Sequence, residues 1–211
     1  MQSDELMAQP LKYTTIAMAT TGDFRDRGSK FFSFAYPVRT PREVKEHLAG
    51  LKKAHPKAVH HCFAYRLGAD KNNFRAVDDG EPAGSAGRPI LNAIDSEGLS
   101  NVLVVVVRYF GGTLLGVPGL IHAYKTATQL ALQEAEKVAH WIEQDVQITF
   151  DYPVMGEVLR LLKSAEATIH KQDLQLFCSI EAGIPLVHAA VLEKLSELRS
   201  VQLAPMQTDA T

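Results

Sequence analysis

The run Val102-Leu103-Val104-Val105-Val106-Val107 leaves this chain few ways to fold. It has no polar alternation, so it cannot lie on a sheet with one wet face, and it is far shorter than the roughly 20 residues that cross a bilayer. The fitting placement is a central strand buried on both faces, which obliges the rest of the chain to supply neighbouring strands and a cover on each side. With 211 residues, 46% hydrophobic and 22% charged, there is material for that core and for a second small domain.

Candidate neighbours flank the run. Tyr13 to Thr20 and Phe31 to Val38 read as two strands of a hairpin joined by a long polar loop carrying Gly22 and Gly28. Val59 to Leu67 alternates with period 2, and Phe74 to Val77 reads as its partner. Thr40-Pro41-Arg42-Glu43 supplies an N-cap, a proline at the first helical position and the glutamate of a capping box. Val44, Leu48 and Leu51 then share one helical face, and His55-Pro56 should end the helix. A short helix is expected through Leu91 and Ile94. A long one is expected from Pro118 or Gly119, where Ala123, Ala127, Ala131 and Ala135 would let it lie close on the sheet, with a polar end from Glu134 to His140.

A new pattern begins after residue 140. Val146, Ile148 and Phe150 alternate as a strand, and Pro153 opens a helix burying Val154, Val158, Leu161, Leu162 and Ala165. Strands at Ala167 to Lys171 and Leu174 to Ile180, joined by Gln172-Asp173, a helix from Pro185 to Leu198 and a strand from Ser200 to Leu203 follow. The predicted class is therefore α+β in two domains, 12–140 and 145–204, the second in the ferredoxin-like order βαββαβ, with 205–211 as a flexible tail.

The formal net charge of −2 excludes a global basic field that would steer the chain to nucleic acid or an acidic membrane, so any such contact needs a local patch. Arg25, Arg27, Lys30, Arg66, Lys71, Arg75, Arg88 and Arg108 could gather into one. Two cysteines, Cys62 and Cys178, in separate predicted strands argue against a disulfide framework or a zinc site and suit a reducing cytosol. The first residues show no basic and apolar leader pattern, and no membrane segment is expected, so the expected location is cytoplasmic.

The segment from Asp78 to Gly119 concentrates the chemistry. Asp78, Asp79 and Glu81 could hold Mg²⁺ with retained waters, accept hydrogen bonds from a basic partner, or form a solvated turn about Asp79-Gly80. Arg88, after a run of small residues, suits a planar anion or an ion pair with one of those carboxylates. Arg108, with Gly111, Gly112 and Gly116, marks a strand running through a glycine turn into a helix. That turn either cradles an anion or merely allows a tight connection. It is neither a Walker A nor a G-x-G-x-x-G sequence. Lys125 would stand on its rim. His60 and His61 face opposite sides of a strand, one packed and the other able to reach the Asp78 region, and His61 is the one carried forward as a candidate. No activated nucleophile accompanies these groups, so catalysis is not the expectation, and no cofactor other than Mg²⁺ is implied.

DDGEPAGSAGRPIL followed by VVVVRYFGGTLLG, with Ser29-Lys30-Phe31 and His61-Cys62-Phe63-Ala64-Tyr65, closely resembles the signature region of the IMPACT family, in its bacterial two-domain branch. The resemblance implies an N-terminal domain of the ribosomal protein S5 domain 2-like type and a C-terminal domain similar to the last domain of elongation factor G. It implies a role in regulating translation, with RNA, the ribosome or a translation factor as partner, and neither a membrane nor a specific DNA sequence. Eukaryotic members carry an RWD domain ahead of the shared one and restrain an amino-acid starvation kinase, and no RWD pattern is found here to carry that partner over. Two rivals stand beside this reading: a metal-assisted hydrolase or phosphotransferase built on the acidic turn, and a protein-binding module without nucleic acid. One departure bears on the glycine turn: relatives commonly read L-G-T-G-G-L, whereas this chain has Leu115-Gly116-Val117-Pro118-Gly119-Leu120, and Pro118 removes one N–H donor.

Overall fold

The computed structural model describes residues 11–206, so the first ten residues and most of the expected tail lie outside the described residues. Two compact units are present, Tyr13–His140 and one described from Trp141 onward together with Leu11 and Lys12.

In the first unit the apolar run becomes β6 (Val102–Tyr109), buried from Val102 through Arg108. Its neighbours are β2 (Thr20–Asp26), β3 (Ser29–Pro37), β4 (His60–Leu67) and β5 (Asn73–Val77), in the order β2-β3-β6-β4-β5. Every pairing is antiparallel. Both faces of β6 are dry because each has its own cover. Val102, Val104 and Val106 pack with α2 (Gly87–Ser96) and α3 (Gly116–Gln133), while Leu103, Val105 and Val107 pack with Val44 and Leu51 of α1 (Pro41–Ala54). The α1 cap forms as expected, with Thr40 Oγ1 accepting the Glu43 N–H at 3.2 Å.

Three expectations for this unit need correction. The supposed hairpin loop is itself a strand: β2 pairs with β3 residue for residue, from Thr20↔Ala35 to Asp26↔Ser29, and turns at Arg27-Gly28. Its charged Asp23 and Arg25 face water, while α3 lies against the other side, where Thr20 Oγ1 donates to the Ala131 carbonyl at 2.7 Å. The expected first strand, β1 (Lys12–Ile16), pairs instead with β7 (Lys137–Trp141), so the polar stretch after α3 is a strand and not a helix end. Finally, α3 starts at Gly116, two residues before Pro118. Proline is tolerated there because the first-turn N–H groups have no helical partner.

In the second unit, β8 (Glu143–Asp151), α4 (Met155–Ser164), β9 (Thr168–Leu174), β10 (Phe177–Pro185), α5 (Ala190–Glu197) and β11 (Gln202–Pro205) run in the order βαββαβ. The sheet order is β11-β8-β10-β9, with Val146, Ile148, Phe150, Ile180 and Ala182 packed against Val158, Leu162 and Leu195 of the helices. The boundaries move. Gln172 and Asp173 belong to β9 and the reversal falls at Gln175-Leu176, because an exposed edge strand carries polar residues without ending. Pro185 closes β10 instead of opening a helix, and Pro205, expected in the tail, pairs with Val146. No helix among the described residues is long and apolar enough to cross a membrane.

Candidate functional site

The register gathers the expected residues at one end of the five-stranded sheet. Lys30 lies opposite Tyr109 and His60 opposite Arg108, so the β2–β3 turn, the glycine turn after β6, the start of β4 and the turn after β5 are neighbours. Helices α2 and α3 both begin there; the start of α3 has no side-chain cap, whereas that of α2 is met by the Asp78 carboxylate.

The carboxylates of the acidic turn diverge. Asp78 Oδ1 accepts the N–H groups of Ala86 at 3.0 Å and Gly87 at 2.8 Å, and Oδ2 accepts that of Gly84 at 2.9 Å. Burial alone would raise its pKa, but these three donors stabilise the charged form and the net direction is down. Asp79 and Gly80 both have positive φ, 44° and 90°, and the Glu81 N–H closes a turn on the Asp78 carbonyl at 3.0 Å. Asp79 Oδ2 accepts the backbone N–H of His61 at 2.7 Å. Glu81 points inward, where Oε1 accepts from Arg108 Nη1 at 2.6 Å and from the Tyr124 hydroxyl at 2.7 Å. The three carboxylates thus serve three different partners and, among the described residues, form no cluster with converging ligand atoms.

Arg108 is the buried centre. Its guanidinium lies 5.4 Å from the Phe31 ring and 5.6 Å from that of Phe110, and its Nε has no hydrogen-bond partner among the described residues. Cys62 Sγ lies 2.9 Å from the Asp78 carbonyl and 3.3 Å from Tyr124 Oη. Burial pushes the Cys62 thiol well above its ordinary range, with the hydrogen bond it shares with Tyr124 opposing, and burial likewise holds Tyr124 protonated as a donor to Glu81. The network ties the acidic turn, β6 and α3 together. It presents no thiolate and no free carboxylate, which suits positioning more than proton transfer.

The two histidines divide otherwise than expected. His60 reaches the turn, Nδ1 donating to the Asp79 carbonyl at 2.8 Å and Nε2 lying 3.8 Å from Glu81 Oε1. The His61 ring faces the α1 side and is buried, Nε2 unpartnered, so it meets Asp79 only through its backbone; burial lowers its pKa. Sequence alternation separated the two faces without saying which was which.

Arg88, on the first turn of α2, is exposed and forms no ion pair among the described residues, Glu81 having taken Arg108 instead. Gly111 is a packing position: a Cβ there would stand 1.9 Å from the Gly28 carbonyl carbon. Gly112 and Gly116, at φ 87° and 69°, shape the turn into α3, and Lys125 stands exposed on that helix. The basic residues do not form one patch, since Arg25 pairs with Asp23, Arg66 with Asp95 and Arg108 with Glu81. Arg27, Lys30 and Arg88 remain exposed at the site end. Beside them Gly28, Lys30, Phe32, Tyr109 and Phe110 line a cleft of about 290 Å³, with Phe110 46% exposed. Sequence reasoning missed Phe32 and Tyr124, and of the two histidines it carried forward His61 where His60 reaches the turn. Tyr124 could have been found as the neighbour of Ala123 on the buried face of α3.

This α+β chain of two units carries, at the end of its N-terminal sheet, a buried Glu–Arg–Tyr lock beside an aromatic and basic rim. Comparison with known proteins gives it a family. The Impact N-terminal domain matches residues 27–132, and the chain belongs to the IMPACT family. It is 41% identical over 138 residues to an IMPACT family member in the pol 5′ region of Thermus thermophilus, covering 64% of this chain and 73% of that one. It is 30% identical over 164 residues to the IMPACT family member YigZ of Escherichia coli, covering 77% and 80%. A solved structure, the crystal structure of an hypothetical protein, matches with a TM-score of 0.74 at 28% identity over 95% of this chain and all of that one.

Proposed function

We propose that this protein is a cytoplasmic, translation-associated regulatory binding protein that contacts ribosomal RNA through the rim formed by the β2–β3 turn and the glycine turn. The observation that carries the reading is the cleft of Lys30, Phe32, Tyr109 and Phe110 beside exposed Arg27. Aromatic faces stack on unpaired bases while adjacent cations meet the phosphates, a combination that tolerates sequence and depends on salt. The start of α3, which has no side-chain cap, adds positive potential on the same edge, less one donor at Pro118.

The finer domain assignments belong to the same proposal. The sheet order β11-β8-β10-β9 with two helices on one face supports a ferredoxin-like second domain similar to the last domain of elongation factor G, and the first unit is taken as ribosomal protein S5 domain 2-like. Such likeness is analogy, so the site geometry carries the function. Catalysis by a magnesium-bearing acidic turn is the weaker reading, because each carboxylate there already holds a structural partner.

Sedimentation of the purified protein with ribosomal particles tests this. Association at low salt is expected, falling steeply between 50 and 200 mM salt as expected for phosphate contacts, and weakened by Arg27→Ala with Lys30→Ala and by Phe110→Ala. Association that persists after nuclease treatment and ignores those substitutions would move the assignment to a protein partner. No association at all would sink it.

A further inference from the structure

We propose that Glu143, Asp145 and His170, on the open face of the second sheet, bind a divalent first-row metal ion of the zinc type. Their ligand atoms lie within 4.8 Å of one another although they come from strands that are not neighbours: β8 supplies both carboxylates, β9 the imidazole, and β10 runs between. Alternate strands of a sheet stand roughly 9–10 Å apart, so side chains on them do not ordinarily meet.

Two backbone features bring these together. The residue of β10 between them is Gly183, opposite Asp145. A Cβ there would stand 2.4 Å from Glu143 Oε2 and 3.1 Å from His170 Nε2, so any side chain would fill the space in which the three groups converge. The second feature is a register shift in β9. Lys171 pairs with Glu181 and Ile169 with Ala182, which leaves His170 as the extra, unpaired residue of a bulge. Bulges re-aim side chains, and this one turns the imidazole inward over the glycine until Nε2 is 3.0 Å from Asp145 Oδ1. Thr168 Oγ1 donates to Glu143 Oε1 at 2.6 Å and orients that carboxylate from outside, as supporting hydrogen bonds do at metal centres.

One imidazole nitrogen with two carboxylates suits zinc and its first-row neighbours better than magnesium or calcium, which favour all-oxygen sets. Bonds of about 2.0–2.2 Å need the ligand atoms to draw together from their present spread, leaving a fourth position for water. The ion would neutralise two like charges held on one face and fasten β9, exposed from Thr168 to Asp173, across β10 to β8.

Calorimetric titration of zinc chloride into the full-length protein tests the site, with His170→Gln, Gly183→Ala and, as a control for adventitious surface histidine binding, His140→Gln. One zinc per chain is expected, bound at least tenfold more weakly by His170→Gln and by Gly183→Ala and unchanged by His140→Gln. Magnesium is expected to bind far more weakly, and amide exchange in β9 to slow when zinc is present. Should Gly183→Ala disturb the fold, His170→Gln, which leaves the backbone untouched, decides alone. Absence of zinc binding, or binding that survives His170→Gln, overturns the proposal.

Discussion

Replacing Glu81 by alanine should be among the most damaging single changes in the N-terminal unit. The Glu81 and Arg108 side chains are 3% and 6% exposed, and the carboxylate also accepts the Tyr124 hydroxyl. Removing it strands a guanidinium that already has an unpartnered Nε and leaves the hydroxyl without its acceptor. Breaking a buried pair from one side costs about 3–5 kcal/mol, far more than the net worth of the intact pair, because the surviving charge stays desolvated. Since about 1 kcal/mol moves the midpoint of a domain of this size by several degrees, Glu81→Ala should lower it by about 10 °C or more. Urea denaturation followed by circular dichroism measures the free-energy loss and a thermal scan the midpoint, with amide exchange along β6 to localise the effect. The double variant Glu81→Met with Arg108→Met should recover most of that loss, a positive coupling of at least 2 kcal/mol being about what contacting residues show. A loss below about 1 kcal/mol for Glu81→Ala, or strict additivity in the double variant, would refute the view that this pair is an interdependent buried lock.

Other outcomes follow from the same geometry. Gly111→Ala forces a methyl into the Gly28 backbone and should destabilise by about 1–3 kcal/mol or more, as overpacking does, seen as a lower thermal midpoint. Stability should fall on acidification in two windows, visible in urea midpoints against pH. His61 has a folded pKa below its ordinary 6.5, so the unfolded chain binds the extra proton and stability drops as pH falls from there toward the folded value; His61→Leu should remove this step. Asp78 has a folded pKa below 3.8, so its contribution is present above that value and is lost as pH falls through the folded one. Both thiols are buried, and Cys62 is held protonated, so a chromogenic disulfide should react slowly with the native protein and rapidly only after unfolding; fast Cys62 labelling would contradict the assigned environment.

Much of the frame was legible before any coordinates. The uninterrupted β6 run, the capped α1, the alanine face of α3 and the βαββαβ order after residue 140 are local patterns set by periodicity and cap chemistry. What was misread has a common cause. β2 looked like a loop because its charged and glycine residues are informative only once α3 is seen lying on them. β7 looked like a helix end because its partner, β1, is more than 120 residues away. At the site, the family signature and the Asp79-Gly80 turn were visible in the chain.

The partners were not. Which carboxylate goes inward, that Arg108 rather than Arg88 answers it, that His60 rather than His61 meets the turn, and that Tyr124 completes the lock depend on register across strands far apart in sequence. The same holds for His170, aimed over Gly183 by a bulge that no periodicity records. The sequence by itself determined most of the elements and the family, because these rest on short-range preferences and motif identity. Tertiary structure alone decided which charges are buried against each other and which remain exposed on the rim, because a side chain's neighbours are set by pairing and packing and not by its place in the chain.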